Sequence, residues 1–155
     1  MLPRAAVYGP AQGRSMTTTD PIWLPCTAMV LVTALVWIKL YADRLSEMRS
    51  KRINPQSLAT ARAAAGKLEN TQAADNFRNL FEVPVLFYVL CIALAVNGGS
   101  TPGLVCGAWV FVGLRALHSL IHVTYNRVMH RFIVYAASTV LLFGMWTVFL
   151  LGIMR

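Results

Sequence analysis

The chain is poor in charge, and poorest in acid. Only 13% of its 155 residues are charged, with 6 Asp and Glu against 14 Lys and Arg. A soluble domain usually carries about a quarter charged residues, so an ordinary water-soluble globule is excluded at the outset. Cysteine is scarce as well. Cys26, Cys91 and Cys106 make no CxxC pair and no even-numbered framework, so they read as small apolar packing residues. No stretch shows the alternation, about ten residues long, of a membrane β-barrel strand. Nothing resembles a phosphate loop, a nucleophile elbow or a flavin site.

What the chain has is hydrophobicity gathered into blocks. Hydrophobic residues make up 57% of the sequence, and the mean hydropathy is +0.56. Four blocks, Ile22–Ala42, Arg78–Asn97, Gly103–Tyr125 and Arg131–Met154, reach the roughly 20 helical residues needed to cross about 30 Å of hydrocarbon. The fold expected is therefore all-α: an integral membrane four-helix bundle, in one domain over residues 21–155. Residues 1–20 read as an N-terminal extension. Pro3, Gly9, Pro10 and Gly13 show no periodic pattern, and no apolar core follows Arg4 to make a signal peptide. Disorder or a start at Met16 is the expectation there, since Thr17-Thr18-Thr19-Asp20-Pro21 looks like a helix cap.

The charges orient the blocks. Arg44, Arg49, Lys51, Arg52, Arg62, Lys67 and Arg78 crowd the first connection, and Arg127, His130 and Arg131 the last, while Asn97–Pro102 carries no charge. Basic connections stay cytoplasmic. Loops 43–77 and 126–131 are accordingly expected in the cytosol, with both termini on the other side. A bacterial inner membrane is the expected location, although an endoplasmic reticulum fits the same pattern. The net charge of +8 reads as orientation and attraction to anionic headgroups, and no nucleic-acid partner is expected. Within the first connection, 46–55 reads as irregular, and the helical run from Leu58 is interrupted at Gly66.

Inside the third block lies a polar stripe: Arg115, His118 and His122, at spacings that share one helix face. Ionisable groups at membrane depth cost several kcal/mol unless they face a partner or a watery cavity, which makes them functional candidates. A second polar face, Asp75, Asn79 and Glu82, opens the second block. One structural reading pairs Glu82 with Arg115 to neutralise both and lock the two spans. The His118-x-x-x-His122 spacing also suits two metal ligands, but a site needs a third and often a fourth, and no metal is expected. Gly103-x-x-x-Gly107 would let helices approach closely.

At these residues the chain resembles the MAPEG superfamily, the membrane-associated proteins in eicosanoid and glutathione metabolism. The resemblance rests on Asn79-Leu80-Phe81-Glu82-Val83-Pro84, on Arg115-Ala116-Leu117-His118, on Arg131 opening the fourth span, and on their order over about residues 20–154. It implies a homotrimer that binds glutathione between subunits near the cytosolic face, as co-substrate for a transferase or peroxidase. The hydrophobic electrophile would arrive from the bilayer. By the same resemblance Arg131 is the catalytic residue, stabilising the thiolate. Arg78, Asn79, Glu82, Arg115, His118, His122 and Tyr125 would be ligand-binding. Three positions depart from the family pattern. Asp75 stands where family enzymes carry an arginine, His122 where they carry a tyrosine, and Phe132 where the prostaglandin synthase has a hydroxyl residue. Tyr125 would lie about 60° from His122 around a continuing helix and could substitute for that tyrosine. A non-catalytic membrane scaffold or accessory subunit of the same fold is the rival reading.

Overall fold

The computed structural model describes residues 20–154. Residues 1–19, and with them nearly all of the expected N-terminal extension, lie outside that range. The described chain is helical throughout: α1 (Trp23–Ser50), α2 (Ala61–Lys67), α3 (Gln72–Asn79), α4 (Val83–Asn97), α5 (Pro102–Val123) and α6 (Val128–Ile153), with a 3-10 turn at Pro55–Leu58. Four stretches are long and apolar enough to cross a membrane, namely α1, α3 with α4, α5, and α6. The protein is an integral, multi-pass membrane protein.

Its exterior is oily in the way a bilayer demands. Leu31, Leu35, Val140 and Phe143 are all exposed, and lipid tails solvate such residues as readily as a protein core does. The interior is a smaller apolar seam. Phe87 of α4 stacks on Phe111 of α5 with centroids 4.5 Å apart, flanked by the buried Met29, Leu90, Leu94 and Leu142. α5 is the central helix and packs against α6, α1 and α3. Of the expected GxxxG pair, only Gly107 marks a close approach. A Cβ there would meet Met145 Sδ at 3.2 Å, whereas one at Gly103 would meet nothing within 4 Å.

Two elements differ from the sequence expectation, each for a local reason. α1 does not end near Ala42; it runs to Ser50, through residues expected to be irregular. The i,i+4 ion pairs Lys39–Asp43 and Glu47–Lys51 line this extension, and such pairs support a solvated helix. At 28 residues and 1.5 Å each, α1 is about 42 Å long, so its last turns stand clear of the hydrocarbon. The second span is broken rather than continuous. Pro84 sits in the first turn of α4, where its missing N–H is harmless. A helix continuing straight from α3 would drive its ring against the Leu80 carbonyl, and the chain jogs at Glu82 (φ −99°, ψ −100°) instead.

The connections are short and capped. α4 ends at Gly98, whose φ of +64° is left-handed, a conformation that glycine adopts without penalty. The Thr101 hydroxyl then accepts from Leu104 N–H at 3.3 Å to start α5, ahead of Pro102 in the first turn. In the cytosolic loop Thr60 caps α2, which passes through Gly66 and stops at Lys67. Glu47 of α1 accepts from the backbone N–H of Glu69 (2.8 Å) and Asn70 (3.3 Å), tying the far end of that loop to the α1 extension.

Candidate functional site

The stripe on α5 is real and points inward. Arg115 is 0% exposed, and His118, Ser119 and His122 are buried beside it. Spacings of three and four place all four on the face that meets α3 and α6. The Arg115 guanidinium lies over two aromatic rings, 4.7 Å from the centroid of Tyr135 and 5.5 Å from that of Phe111. Neither ring accepts a conventional hydrogen bond there. Nε, Nη1 and Nη2 of Arg115 are all buried without a partner, so a full cation sits in the bundle satisfied only by π faces.

The surrounding polar atoms complete a donor-rich pocket. Asn76 of α3 is 0% exposed. Its Oδ1 accepts from the Ser119 hydroxyl at 3.3 Å, while its Nδ2 has no partner. His118 Nδ1 faces the Arg131 carbonyl at 3.1 Å. A carbonyl can only accept, so His118 carries its proton on Nδ1 and presents a bare acceptor at Nε2. The logic reverses for His122. Its Nε2 lies 3.0 Å from Arg131 Nη1, which can only donate, so the His122 proton is on Nδ1. Both of the outer ring nitrogens, His118 Nε2 and His122 Nδ1, are buried and unpartnered. The ensemble offers several donors and one acceptor. An anion that also bears an N–H or O–H group would satisfy it.

Arg131 stands at the cytosolic mouth of this pocket, half-buried in the first turns of α6. Besides His122, its Nη1 donates to Asn126 Oδ1 at 2.8 Å. Tyr135, one turn further along α6, reaches the Arg115 guanidinium and lies 5.8 Å from the His118 ring. Thus Arg115, His118, His122 and Arg131 are brought together.

The other residues named from sequence lie elsewhere in the single chain. Glu82 is exposed at the jog, and among the described residues it makes no ion pair with Arg115. Asn79 is half-buried at the end of α3. Arg78 is exposed, 3.8 Å from Asp75 in a surface pair, and lines a groove against α1 with Trp37, Tyr41 and Arg44. Tyr125 is exposed and bonds His130 Nδ1 at 3.2 Å. It does not share the face of His122, because α5 stops at Val123 and the chain turns at Thr124 (φ −108°, ψ −99°). Phe132 is exposed on the lipid side.

Four residues of the pocket went unnamed in the sequence reading. Ser119 lies on the Arg115 stripe, four residues on, and Tyr135 lies four after Arg131; both were recoverable from helical spacing. Asn76 was hidden by a one-residue phase error. The inner face of α3 is Ala73, Asn76 and Leu80, not Asp75, Asn79 and Glu82, because that second set assumes a helix unbroken into α4. Asn126 carried no signal beyond its place in a turn.

No curated protein and no solved structure matches the chain. The family model of the MAPEG family does match, over residues 22–151. That span takes in every membrane-crossing helix and the whole polar pocket, and the chain belongs to the MAPEG family.

Proposed function

We propose that the protein is a glutathione-dependent transferase or peroxidase acting on hydrophobic electrophiles from the bilayer, working as a homotrimer. The observation that carries this reading is the buried, unpartnered guanidinium of Arg115 in a pocket that also holds Arg131. A buried cation without a counter-charge is costly, and an anionic peptide would relieve it. Glutathione has two carboxylates, an ammonium and amide N–H groups. Arg115, Asn76 Nδ2 and the His122 Nδ1–H can meet its acceptors, and His118 Nε2 one of its donors. Glu82 and Asn79, solvent-facing at the jog, are available to a ligand lying between subunits.

Glutathione would supply the nucleophilic sulfur. Arg131 holds a positive charge at the pocket mouth, with Nε and Nη2 outside the hydrogen bonds made by Nη1. A thiol of pKa about 8.5 shifts toward neutrality beside a fixed cation, and each unit is worth about 1.4 kcal/mol. His118 fixes the backbone of Arg131 rather than serving as a base, since its proton is on the nitrogen facing that carbonyl. The apolar exterior of α1 and α6 suits delivery of the second substrate through lipid.

The test is equilibrium binding of glutathione to the detergent-purified protein, followed by thiolate absorbance near the ultraviolet edge. Saturable thiolate formation is expected in the native protein and is lost in Arg131→Ala. An Arg131→Ala variant that still forms thiolate fully would remove Arg131 from the mechanism. No binding at millimolar glutathione would refute the reading and leave a scaffold of the same fold.

A further inference from the structure

Arg131 is held in a way that its place in the sequence does not explain. Both hydrogens of Nη1 are used, one toward His122 Nε2 at 3.0 Å and one toward Asn126 Oδ1 at 2.8 Å. Two acceptors on a single nitrogen fix both the position of that nitrogen and the plane of the rigid guanidinium. A third contact, from His118 Nδ1–H to the Arg131 carbonyl at 3.1 Å, secures the backbone. Arginine otherwise carries about 2 kcal/mol of rotamer entropy, and at a half-exposed membrane interface its long stem would wander.

We infer that Asn126 and His122 are positioning residues that clamp Arg131 through Nη1 and so aim its Nε and Nη2 edge into the polar pocket.

Asn126 suits this task because of where α5 ends. Its backbone φ is +46°, and its N–H bonds the Ile121 carbonyl at 2.8 Å to close the helix. Asparagine is among the few residues with a side chain that tolerate this left-handed geometry. The residue that stops α5 therefore also projects an amide oxygen toward α6, five residues on. His122, one turn before it, is the last buried side chain of the polar stripe and supplies the second acceptor from the opposite side of Nη1. The clamp works only while His122 is neutral with its proton on Nδ1. That tautomer leaves Nδ1–H facing the pocket as one more donor for an anion.

The inference rests on Arg131 acting on a bound thiol, and its test separates the two ideas. Asn126→Gly keeps the left-handed turn and removes only the amide, whereas Asn126→Asp keeps both the turn and an acceptor. His122→Phe keeps the ring and removes Nε2. The first readout needs no ligand: rotation about the Arg131 Cζ–Nη bonds, followed by nitrogen-15 NMR of the full-length protein in micelles. Slow rotation is expected in the native protein and in Asn126→Asp, and fast rotation in Asn126→Gly and His122→Phe. Fast rotation in the native protein, or slow rotation retained in both deletions, overturns the clamp.

The second readout is thiolate formation with glutathione. Asn126→Gly is expected to raise the apparent thiol pKa by about one unit, so that thiolate near neutral pH falls about tenfold. If the native protein forms thiolate and both deletions match it, the positioning role is wrong while the transferase reading stands. If the native protein forms none but its Arg131 rotation is slow, the transferase reading fails and the clamp survives on the first readout.

Discussion

Replacing Arg115 with methionine should make the ligand-free protein more stable, not less. Arg115 is wholly enclosed, and all three of its side-chain nitrogens lack an acceptor. After relaxation, the penalty for burying such an ion is of the order of 5 kcal/mol. The Tyr135 and Phe111 faces, at 4.7 and 5.5 Å, return about 2 kcal/mol each at most. Arg115 then costs the empty protein about 1–2 kcal/mol, which an unbranched methionine filling the same space would recover. Chemical unfolding in mixed micelles measures the difference directly. The gain should reverse with ligand: an anion at 100 times its Kd stabilises the native protein by about 2.7 kcal/mol, and Arg115→Met should gain none of this. An Arg115→Met protein less stable than the native one by more than 1 kcal/mol without ligand would refute the reasoning. Such a result would mean that a counter-charge meets the guanidinium in the assembled protein.

Two further predictions concern the frame around the pocket. Thr101→Ala removes the cap on Leu104 N–H and should cost about 1 kcal/mol, read by the same unfolding assay; an unchanged midpoint would show that the outer turn holds without it. In the cytosolic loop, hydrogen bonds first to Glu47 and then to Glu69 hold the Lys51 ammonium above its ordinary pKa of 10.5. A cation raised in this way stabilises the fold below its free pKa and loses that effect as pH rises through the folded value. A spin label replacing Asn70 should therefore stay ordered below pH 10.5 and loosen above it, and mobility independent of pH would remove Lys51 from the anchor.

Most of the architecture could be read from composition and period alone. Four apolar blocks in so short a chain leave few arrangements other than four spans, because every backbone polar group in lipid must be satisfied within its own helix. The basic and uncharged turns set their orientation, and the α5 stripe was visible because 3.6-residue periodicity survives along an unbroken helix. Reading failed wherever a helix ended or jogged. Pro84 and the chain reversal at Glu82 rotate α3 relative to α4, so Asn76 faces the pocket and Asp75 faces water. The stop at Val123 likewise carries Tyr125 away from His122.

The family motif also reads differently in space than in sequence. Asn79 and Glu82 look like partners for Arg115 when written in a line. In the single chain they sit on its outer side, and Arg115 is left with aromatic faces. Hydrophobic blocks, loop charges and the spacing within one helix are local properties, and the sequence by itself determined them: membrane residence, span number, orientation and the inward stripe. Which side chains converge from different helices depends on where each helix stops and how it is rotated. Those phases accumulate from single backbone angles at Glu82, Thr124 and Asn126. Only the tertiary structure decided that Asn76, Tyr135 and Asn126 join Arg115, His118, His122 and Arg131 around one pocket.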